Sequence, residues 1–386
     1  MKKWLLFLLL FLTAQVKTFA EDSGSKLRIS LLTCSPGEDL YAVFGHSAMR
    51  IVDSTAGTDI VYNFGTFDFT DPDFYTKFVR GKLRYFLSQA NYADFIYEYA
   101  YFKRPVTEQV LAISDADKIA IQQSLFENLS EENRYYKYDF LFDNCTTRLR
   151  DLIFKTNTNE AFLPPPFAVR GSTFRDHLHG YLDRAEMPWT KLGIDILLGA
   201  GADRVMSVNE SMFLPDPLLF GVKGARQSGK PLEMESSMLL DYPEQISRSK
   251  SLNWLGPALI FFILGLLAIL GSTWKRLIEQ KISGYTDLLI FGVSGLLGFV
   301  LLFTWFGTDH ESFRYNLNLI WASPFNILFF YKRAKKTGWY KKLLKINAIL
   351  ILLLVAAYLV WPRIINPLLF PVVIALSFRS WIIARS

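Results

Sequence analysis

The sequence predicts an α+β exported domain followed by an α-helical membrane domain. An N-terminal stretch has the layout of a secretory signal, an ordinary globular mixture follows as far as Lys250, and apolar runs dominate from residue 251 onward. The exported part, residues 21–250, is long enough to bury one sizeable core. The whole-chain values of 51% hydrophobic residues and +6 net charge therefore average over two different parts.

The first 20 residues are predicted to be a signal peptide. A basic start, a short apolar stretch and small residues around Ala20 follow one another in MKKWLLFLLLFLTAQVKTFAE. The apolar stretch is short for a helix that crosses a bilayer, which favours cleavage after Ala20 over an uncleaved anchor. We therefore expect the chain from Glu21 onward to be exported.

Five apolar segments are candidate membrane spans, judged against the roughly 20 residues that a bilayer core requires. They are Leu255–Trp274, Thr286–Phe306, Leu317–Tyr331, Ile346–Val360 and Pro367–Ile382. The links after the first and third contain KRLIEQK and KRAKKTGWYKKLLK, whereas the other links, TDHES and WPRIINP, are poorer in Lys and Arg. Basic links face the cytoplasm, so residues 21–250 are predicted to lie on the opposite side. The basic balance follows from this topology, and we predict no nucleic-acid partner.

Local patterns predict a sheet with helices packed on it. Apolar and β-branched runs predict strands in KLRISLLTC, LYAVFGHSAMRIVD and IVYNFGTFDF, and the last two form a hairpin around STAGTD. Helical patterns cover Asp71–Leu87, Tyr92–Phe102 and Asp115–Leu129, with a strand in TEQVLAI between the last two. TFRDHLHGYLDR is a further predicted helix, and RQSGKPLEMESS is predicted to be a connecting loop.

Cys145 is predicted to lie in the first turn of a helix. In YDFLFDNCTTRLRDLIF, Asp143 and Asn144 are good N-cap residues, and Leu149 and Ile153 have the spacing of a buried helix face. The positive end of a helix dipole favours a thiolate over a thiol, and the thiolate is the nucleophile. The position therefore predicts a reactive cysteine.

His46 is the candidate partner of this cysteine. It is one of four histidines in the chain and begins the predicted strand in FGHSAMRIVD. If the Cys145 helix packs on the sheet, this imidazole could take the thiol proton and later pass it to a leaving group. A disulfide is the alternative, because Cys34 and Cys145 are an even pair in an exported domain. Spacing alone leaves both possibilities open.

The stretches LLTCSPGEDLYAVFGHSAMRI, YNFGTFDF, YDFLFDNCTTRLRD, ADRVMSVNESMFLPD and NLNLIWASPFN together resemble a known family. They are similar to the Lnb-type lipoprotein N-acyltransferases of Bacteroidota. The His-bearing strand before the Cys-bearing helix also resembles the permuted papain-like enzymes, the group of lecithin–retinol acyltransferase. The resemblance implies a papain-like periplasmic domain, residues 21–250, and a multi-span domain, residues 251–386, in a bacterial inner membrane.

The same resemblance implies an acyltransferase reaction. Family members move an acyl chain from a phospholipid to the α-amine of the diacylglyceryl cysteine of an exported apolipoprotein. Carried onto this chain, Cys145 would hold the acyl group as a thioester, and His46 would act first as base and then as acid. Papain-like sites orient the histidine with a third residue, for which Asn63, Thr66 and Asp68 on the opposing hairpin arm are the candidates. We select Asn63.

Asn144, His310 and Asn318 are the predicted substrate-binding residues. His310 and Asn318 lie in TDHESFRYNLNLIWASPFN, on the predicted outer side, where polar groups at a membrane entrance tend to be functional or paired. They could bind a lipid headgroup or form hydrogen bonds between helices, and Asn144 could serve as a helix cap. Glycine-rich phosphate loops and zinc-ligand spacings do not occur, so no cofactor and no metal are predicted.

Two other functions stay open. The same Cys–His pair with water as acceptor would make a membrane-anchored lipase, thioesterase or peptidoglycan amidase. With Cys34 bonded to Cys145, the chain would be a non-enzymatic membrane binding protein.

Overall fold

The computed structural model describes residues 26–156, 171–242, 253–273, 279–331 and 337–385. The predicted signal peptide, residues 1–20, lies outside these described residues. The described part consists of a mixed domain of strands and helices with a seven-stranded sheet, followed by a helical region. A sheet-containing domain ahead of a helical region is therefore confirmed.

The sheet is antiparallel, with the spatial order β6-β4-β3-β2-β1-β5-β9. Its strands are β1 (Leu27–Cys34), β2 (His46–Asp53), β3 (Thr58–Thr66), β4 (Arg84–Asn91), β5 (Val106–Leu111), β6 (Tyr135–Lys137) and β9 (Glu233–Leu240), and β7 (Arg226–Gln227) and β8 (Lys230–Pro231) form a separate ribbon. The helices are α1 (Phe74–Val79), α2 (Tyr92–Tyr101), α3 (Asp115–Leu129), α4 (Cys145–Thr156), α5 (Phe174–Arg184), α6 (Pro188–Leu197), α7 (Val208–Ser211) and α8 (Pro215–Gly224).

Both faces of the sheet are covered because its central strands are apolar on both sides. On one face, Ile29 and Leu31 of β1 pack with α3, α4 and α8. On the other face, Leu32 and Cys34 of the same strand pack with Phe95 of α2. The two-residue alternation along β1 therefore divides its side chains between two cores.

The helix predicted over Asp71–Leu87 is wrong over most of its length. Only α1 is helical, the chain turns at Gly81 with a φ of 64°, and β4 begins at Arg84. Leu87 is fully buried in the core beneath the sheet. Pairing of β4 with β3 therefore prevails over the local helical pattern.

The loop predicted for RQSGKPLEMESS is also wrong. This stretch forms the β7–β8 ribbon and the start of β9, which pairs with β5 at the edge of the sheet. Most side chains in the first half of β9 are exposed. Because an edge strand tolerates polar residues, its composition resembles that of a loop.

The helical region contains α9 (Leu255–Thr273), α10 (Glu279–Phe306), α11 (Gly338–Ala357) and α12 (Phe370–Arg385). Gly284–Phe306 and Pro367–Arg385 are long and apolar enough to cross a membrane, by length and composition alone. Leu255–Leu270 and Leu317–Phe330 are shorter apolar stretches. The number of five spans stays a prediction.

The third predicted span, Leu317–Tyr331, is not one continuous α-helix. It consists of two 3-10 stretches, Leu317–Ile320 and Pro324–Phe330. The buried Asn326 amide donates to the carbonyl of Trp321 (3.0 Å) and to the hydroxyl of Ser294 on α10 (2.9 Å). Internal hydrogen bonds of this kind allow irregular backbone among apolar helices.

One end of the sheet faces the helical region. The antiparallel register brings together at this end Cys34, His46, Thr66, Arg84, Val106, Lys137 and Leu240. Lys137 Nζ lies 3.6 Å from Asp309 Oδ2, in the link that follows α10. The β2–β3 turn at residues 54–57 lies at the opposite end, about 23 Å away along β2 at roughly 3.3 Å per residue. We call the end that contains His46 the membrane-proximal end.

A buried polar network joins the exported domain to the helical region. Asp195 on α6 accepts hydrogen bonds from Arg175 (2.9 Å), the His179 ring (2.7 Å) and Asn366 Nδ2 (2.7 Å). Arg175 and Asp195 are buried, and Asn366 belongs to the link before α12. The carboxylate therefore holds groups from both parts of the chain.

We expect Asp195→Ala to destabilise the protein by about 3 kcal/mol or more, because it leaves buried donors without their acceptor. The measurement is the thermal unfolding midpoint of the detergent-solubilised chain, followed by circular dichroism. Asp183→Ala is the matched control, since the Asp183–Lys191 ion pair is exposed and should contribute little. Equal midpoints for the two variants would contradict this role of Asp195.

Candidate active site

The backbone before β2 positions His46. Gly45 has a φ of 78°, and a Cβ there would lie 2.7 Å from the carbonyl oxygen of Cys34. Only glycine fits this turn without displacing β1. The imidazole therefore begins β2 directly beside the end of β1, where His46 pairs with Cys34.

The cap of α4 positions Cys145. The Asn144 side-chain oxygen accepts hydrogen bonds from the N–H groups of Thr146 (2.8 Å) and Thr147 (2.9 Å). Leu149 and Ile153 are fully buried in the core and pack α4 against the sheet. Cys145 is thus the first residue of a capped helix, as predicted, with its N–H at a position that has no intrahelical acceptor.

The structure brings His46, Cys145 and Asn63 together. The His46 ring lies close enough to Cys145 to interact with its sulfur, and His46 Nε2 lies 3.2 Å from Asn63 Oδ1. When Nε2 donates its proton to this amide oxygen, Nδ1 is left as the basic nitrogen. The arrangement is therefore a thiol, an imidazole and an amide in series.

Ser47 and Thr146 join the strand to the helix. Their hydroxyl oxygens are 3.1 Å apart, and both residues are buried. The Thr146 hydroxyl lies 3.8 Å from the Cys145 sulfur, and this hydroxyl and the Ser47 N–H both act to lower the pKa of the thiol. Sequence reasoning missed both residues, although each directly follows a predicted catalytic residue.

The surroundings of Cys145 favour its thiolate. Burial raises the pKa of the thiol, but the positive charge and hydrogen bond of His46, the Ser47 N–H and the Thr146 hydroxyl outweigh it and lower the pKa to about 7. Burial lowers the pKa of His46, yet the Cys145 charge and the bonds to Cys145 and Asn63 raise it above its usual value. The two shifts favour the thiolate–imidazolium form of the pair over the neutral form.

The geometry separates Asn63 from the other two candidates for the third position. The Thr66 hydroxyl bonds to Ser88 Oγ (2.7 Å), and the exposed Asp68 carboxylate accepts from Thr70. An irregularity between Asn63 and Thr66 shifts the register of β3 against β4, so that Asn63 pairs with Ser88 and Thr66 pairs with Phe86. Of the three, only Asn63 reaches His46, while its catalytic role stays a prediction.

The two cysteines are both free. Cys34 is fully buried beside Tyr99, and burial raises the pKa of its thiol to about 12. The structure therefore contradicts the Cys34–Cys145 disulfide alternative. Cys34 has the character of a packed apolar side chain.

The three predicted substrate-binding residues all make hydrogen bonds within the protein. The Asn144 oxygen caps α4 and its amide nitrogen donates to the carbonyls of Phe140 and Phe213, so its contacts are internal. His310, in the link after α10, donates its Nε2–H to the Phe78 carbonyl of α1 (3.1 Å). The buried Asn318 amide donates to the carbonyls of Asp195 and Ile196. Their binding roles stay predictions that these contacts do not favour.

Tyr138 is a further side chain at the site. A methyl group placed on Gly65 would lie 3.6 Å from Cys145 Cβ and 3.7 Å from Tyr138 Cε2, so both side chains border the space beside Gly65. Burial, and after it the Cys145 charge, raise the pKa of Tyr138 well above its ordinary value. The phenol therefore stays neutral. Only the tertiary packing places this residue beside the thiol.

The fold and the site define a membrane-associated protein with a cysteine–histidine pair in its sheet-containing domain. Residues 14–175 match the Lnb N-terminal periplasmic domain, and residues 248–386 match the Lnb transmembrane domain. The two matches cover most of the chain, which belongs to the Lnb family. It is an inner-membrane protein with a periplasmic N-terminal domain. Comparison with curated proteins and with solved structures finds no match.

We expect the rate of Cys145 alkylation by iodoacetamide to rise with pH through a midpoint near 7, because the lowered pKa makes the reactive thiolate available at lower pH. His46→Ala removes the stabilising charge while burial persists, so the midpoint should move upward. Peptide mass spectrometry assigns the modified site, and the buried Cys34 is an internal control that should stay unmodified until denaturation. An unchanged midpoint in His46→Ala would contradict the pairing.

We expect Asn63→Ala to slow acylation of Cys145 by a soluble activated ester on the order of 10²-fold, because the imidazole loses the group that orients it. Asp68→Asn is the matched control, since it changes a neighbouring candidate whose side chain bonds to Thr70 and does not contact His46. A wild-type rate in Asn63→Ala would exclude it as the third member.

Proposed function

We propose that this protein is an apolipoprotein N-acyltransferase that moves an acyl chain from a phospholipid to the α-amine of a diacylglyceryl cysteine. The observation that carries the proposal is the Cys145 thiol, whose pKa of about 7 results from contacts with His46 at the membrane-proximal end of the sheet. Membership of the Lnb family is compatible with such an enzyme.

In the first half-reaction, His46 Nδ1 takes the thiol proton and the Cys145 sulfur attacks the carbonyl carbon of a phospholipid ester. The Cys145 N–H, at the start of α4, is a candidate donor to the resulting oxyanion. The tetrahedral intermediate collapses with cleavage of the ester C–O bond. His46 passes its proton to the departing glycerol oxygen, which releases a lysophospholipid and leaves a thioester on Cys145.

In the second half-reaction, the α-amine of the apolipoprotein attacks the thioester carbonyl. His46 takes a proton from the amine as the C–N bond forms, and the C–S bond then breaks. The products are an N-acylated lipoprotein and the regenerated pair of Cys145 and His46. Asn63 holds the ring in place during both steps without contacting the reacting atoms.

The position of the site supports lipid-anchored substrates. The Ser312 hydroxyl, in the link after α10, donates to Asp139 (3.1 Å) in the loop that leads to Cys145. Asp139 in turn accepts from the N–H groups of Leu141 and Phe142. The loop that carries the nucleophile is thus in contact with the membrane region, where both substrates have their anchors.

The order of the catalytic elements supports a permuted papain-like arrangement. His46 begins β2, Asn63 follows on β3, and Cys145 comes later at the start of α4. We therefore extend the proposal to the fold. In this papain-like site, α4 carries the nucleophile and β2 of the sheet carries the histidine.

The test uses the full chain in vesicles that contain a phospholipid with a labelled acyl chain, together with a synthetic diacylglyceryl-cysteine peptide. We expect label on the peptide amine, and a loss of 10²-fold or more in Cys145→Ala and in His46→Ala. Without peptide, a hydroxylamine-sensitive acyl group should accumulate on Cys145, as detected by mass spectrometry. Cys34→Ala, at a buried thiol that the mechanism does not use, should retain activity.

A peptide with an acetylated α-amine is the substrate control, because it should accept no label while the thioester still forms. Release of free fatty acid alone, with no peptide product, would favour the hydrolase. Wild-type transfer by Cys145→Ala would refute the mechanism.

A further inference from the structure

An exposed apolar patch lies on α1 and on the loop before it. Phe69, Tyr75, Phe78 and Val79 have exposed fractions of 69%, 80%, 49% and 52%. Contiguous exposed apolar side chains of this size usually mark a surface that meets a partner or a membrane. We call these four residues the aromatic patch.

The aromatic patch lies directly beside the outer link of the membrane region. The Asp309 N–H donates to the Arg80 carbonyl (2.9 Å), and the His310 ring donates to the Phe78 carbonyl (3.1 Å). Gly81 approaches the same link so closely that a Cβ would lie 3.1 Å from the backbone nitrogen of His310. The end of α1 therefore rests on this link.

The neighbouring end of α10 has the composition of a membrane–water interface. Trp305 stacks on Phe306 with ring centroids 5.0 Å apart and contacts Tyr315 at 5.3 Å. Phe306 and Tyr315 are exposed. Because Trp and Tyr concentrate at the headgroup level of a bilayer, the aromatic patch lies next to the surface at which α10 emerges.

Two cationic residues directly follow the aromatic patch in the chain. Arg80 and Lys82 are exposed and directly follow α1, whereas Lys77 is held by Asp71 at 2.7 Å. Exposed cations can pair with the phosphate of a lipid headgroup while the neighbouring aromatic rings contact the acyl chains beneath it. The exposed Arg80 and Lys82 next to the aromatic patch therefore favour a phospholipid as its ligand.

A row of rings connects the aromatic patch with the thiol. Tyr138, beside Cys145, stacks on Tyr85 with a centroid distance of 4.3 Å, and Tyr85 contacts Phe67 at 5.3 Å. Phe67 in turn contacts Phe69 of the patch at 4.7 Å. We call Tyr138, Tyr85 and Phe67 the ring row.

We infer that the aromatic patch enters the periplasmic leaflet and receives one acyl chain of a phospholipid, and that the ring row is the apolar wall along which this chain reaches Cys145. The membrane contact stands on its own, whereas delivery to Cys145 rests on the proposed function. Tyr85, Tyr138 and Phe67 are thus acyl-binding residues, and Phe69, Tyr75 and Phe78 contact lipid.

The first experiment measures membrane depth and requires no enzymatic activity. In a Cys145→Ala background, a nitroxide is attached at Tyr75→Cys or at Thr55→Cys, and the full chain is placed in phospholipid nanodiscs. Thr55 is the matched control because it is exposed in the β2–β3 turn at the opposite end of the sheet. We expect the Tyr75 label to be accessible to oxygen and shielded from an aqueous nickel reagent, and the Thr55 label to show the reverse.

Three outcomes would overturn the membrane contact. Equal nickel accessibility at both positions would mean that the patch faces water. Shielding of the Tyr75 label from oxygen and nickel alike would mean that protein covers it. Dipolar broadening between labels would identify a second copy of the chain as the occupant.

The second experiment compares two acyl donors in Phe78→Ser. Thioester formation on Cys145 from vesicle phospholipid should fall at least about tenfold, because a large apolar contact with lipid is lost. Formation from a water-soluble short-chain ester should not change. Phe126→Ser is the matched control, since Phe126 is 52% exposed on α3 and should leave both rates unchanged.

A pair of variants tests the ring row. Phe67→Leu keeps an apolar wall and should retain the rate with long-chain donors, whereas Phe67→Asn should lower that rate about tenfold and spare the short-chain ester. Equal losses with both donors would indicate a merely structural role and overturn the acyl path. Absence of any thioester in the wild type would refute the proposed function, while the depth measurement would still decide the membrane contact.

Discussion

The contact between β2 and the start of α4 is the constraint on which the site depends. Ser47 and Thr146 meet hydroxyl to hydroxyl at 3.1 Å in a buried position, one residue after His46 and one residue after Cys145. A shift of one residue on either element would turn the imidazole or the thiol away from the other. The Asn144 cap and the buried Leu149 and Ile153 keep α4 in this position, so the placement of the thiol beside the imidazole follows from packing.

The antiparallel register extends this constraint from the site to the membrane. Each strand of the sheet has one of its ends at the membrane-proximal end. His46, Lys137 and Leu240 therefore lie at that same end, which faces the helical region. Ser312 and Asp309 then contact the segment that precedes α4. The membrane region therefore helps to position the loop that leads to Cys145, in addition to anchoring the chain.

Several elements could be read from local sequence, and others could not. β1, β2 and the capped start of α4 have strong patterns of their own, because burial on both faces or a cap dictates their residues. β4 and β9 were misassigned, since each is defined by the neighbour it pairs with: β4 pairs with β3, and β9 covers the edge of β5. Pairing of this kind joins residues that are distant in the chain, so no local pattern records it.

The sequence by itself determined the two-part organisation, the exported side and the residue types of the site, because hydropathy, basic links and helix caps are local properties. Only the tertiary structure decided that Asn63 rather than Thr66 reaches His46, that Cys34 and Cys145 are both free, and that Tyr138 lies beside the thiol. These outcomes depend on the irregularity in β3 and on the packing of α4 against the sheet. Both are set by contacts between residues that are far apart in the chain, so no local sequence pattern reveals them.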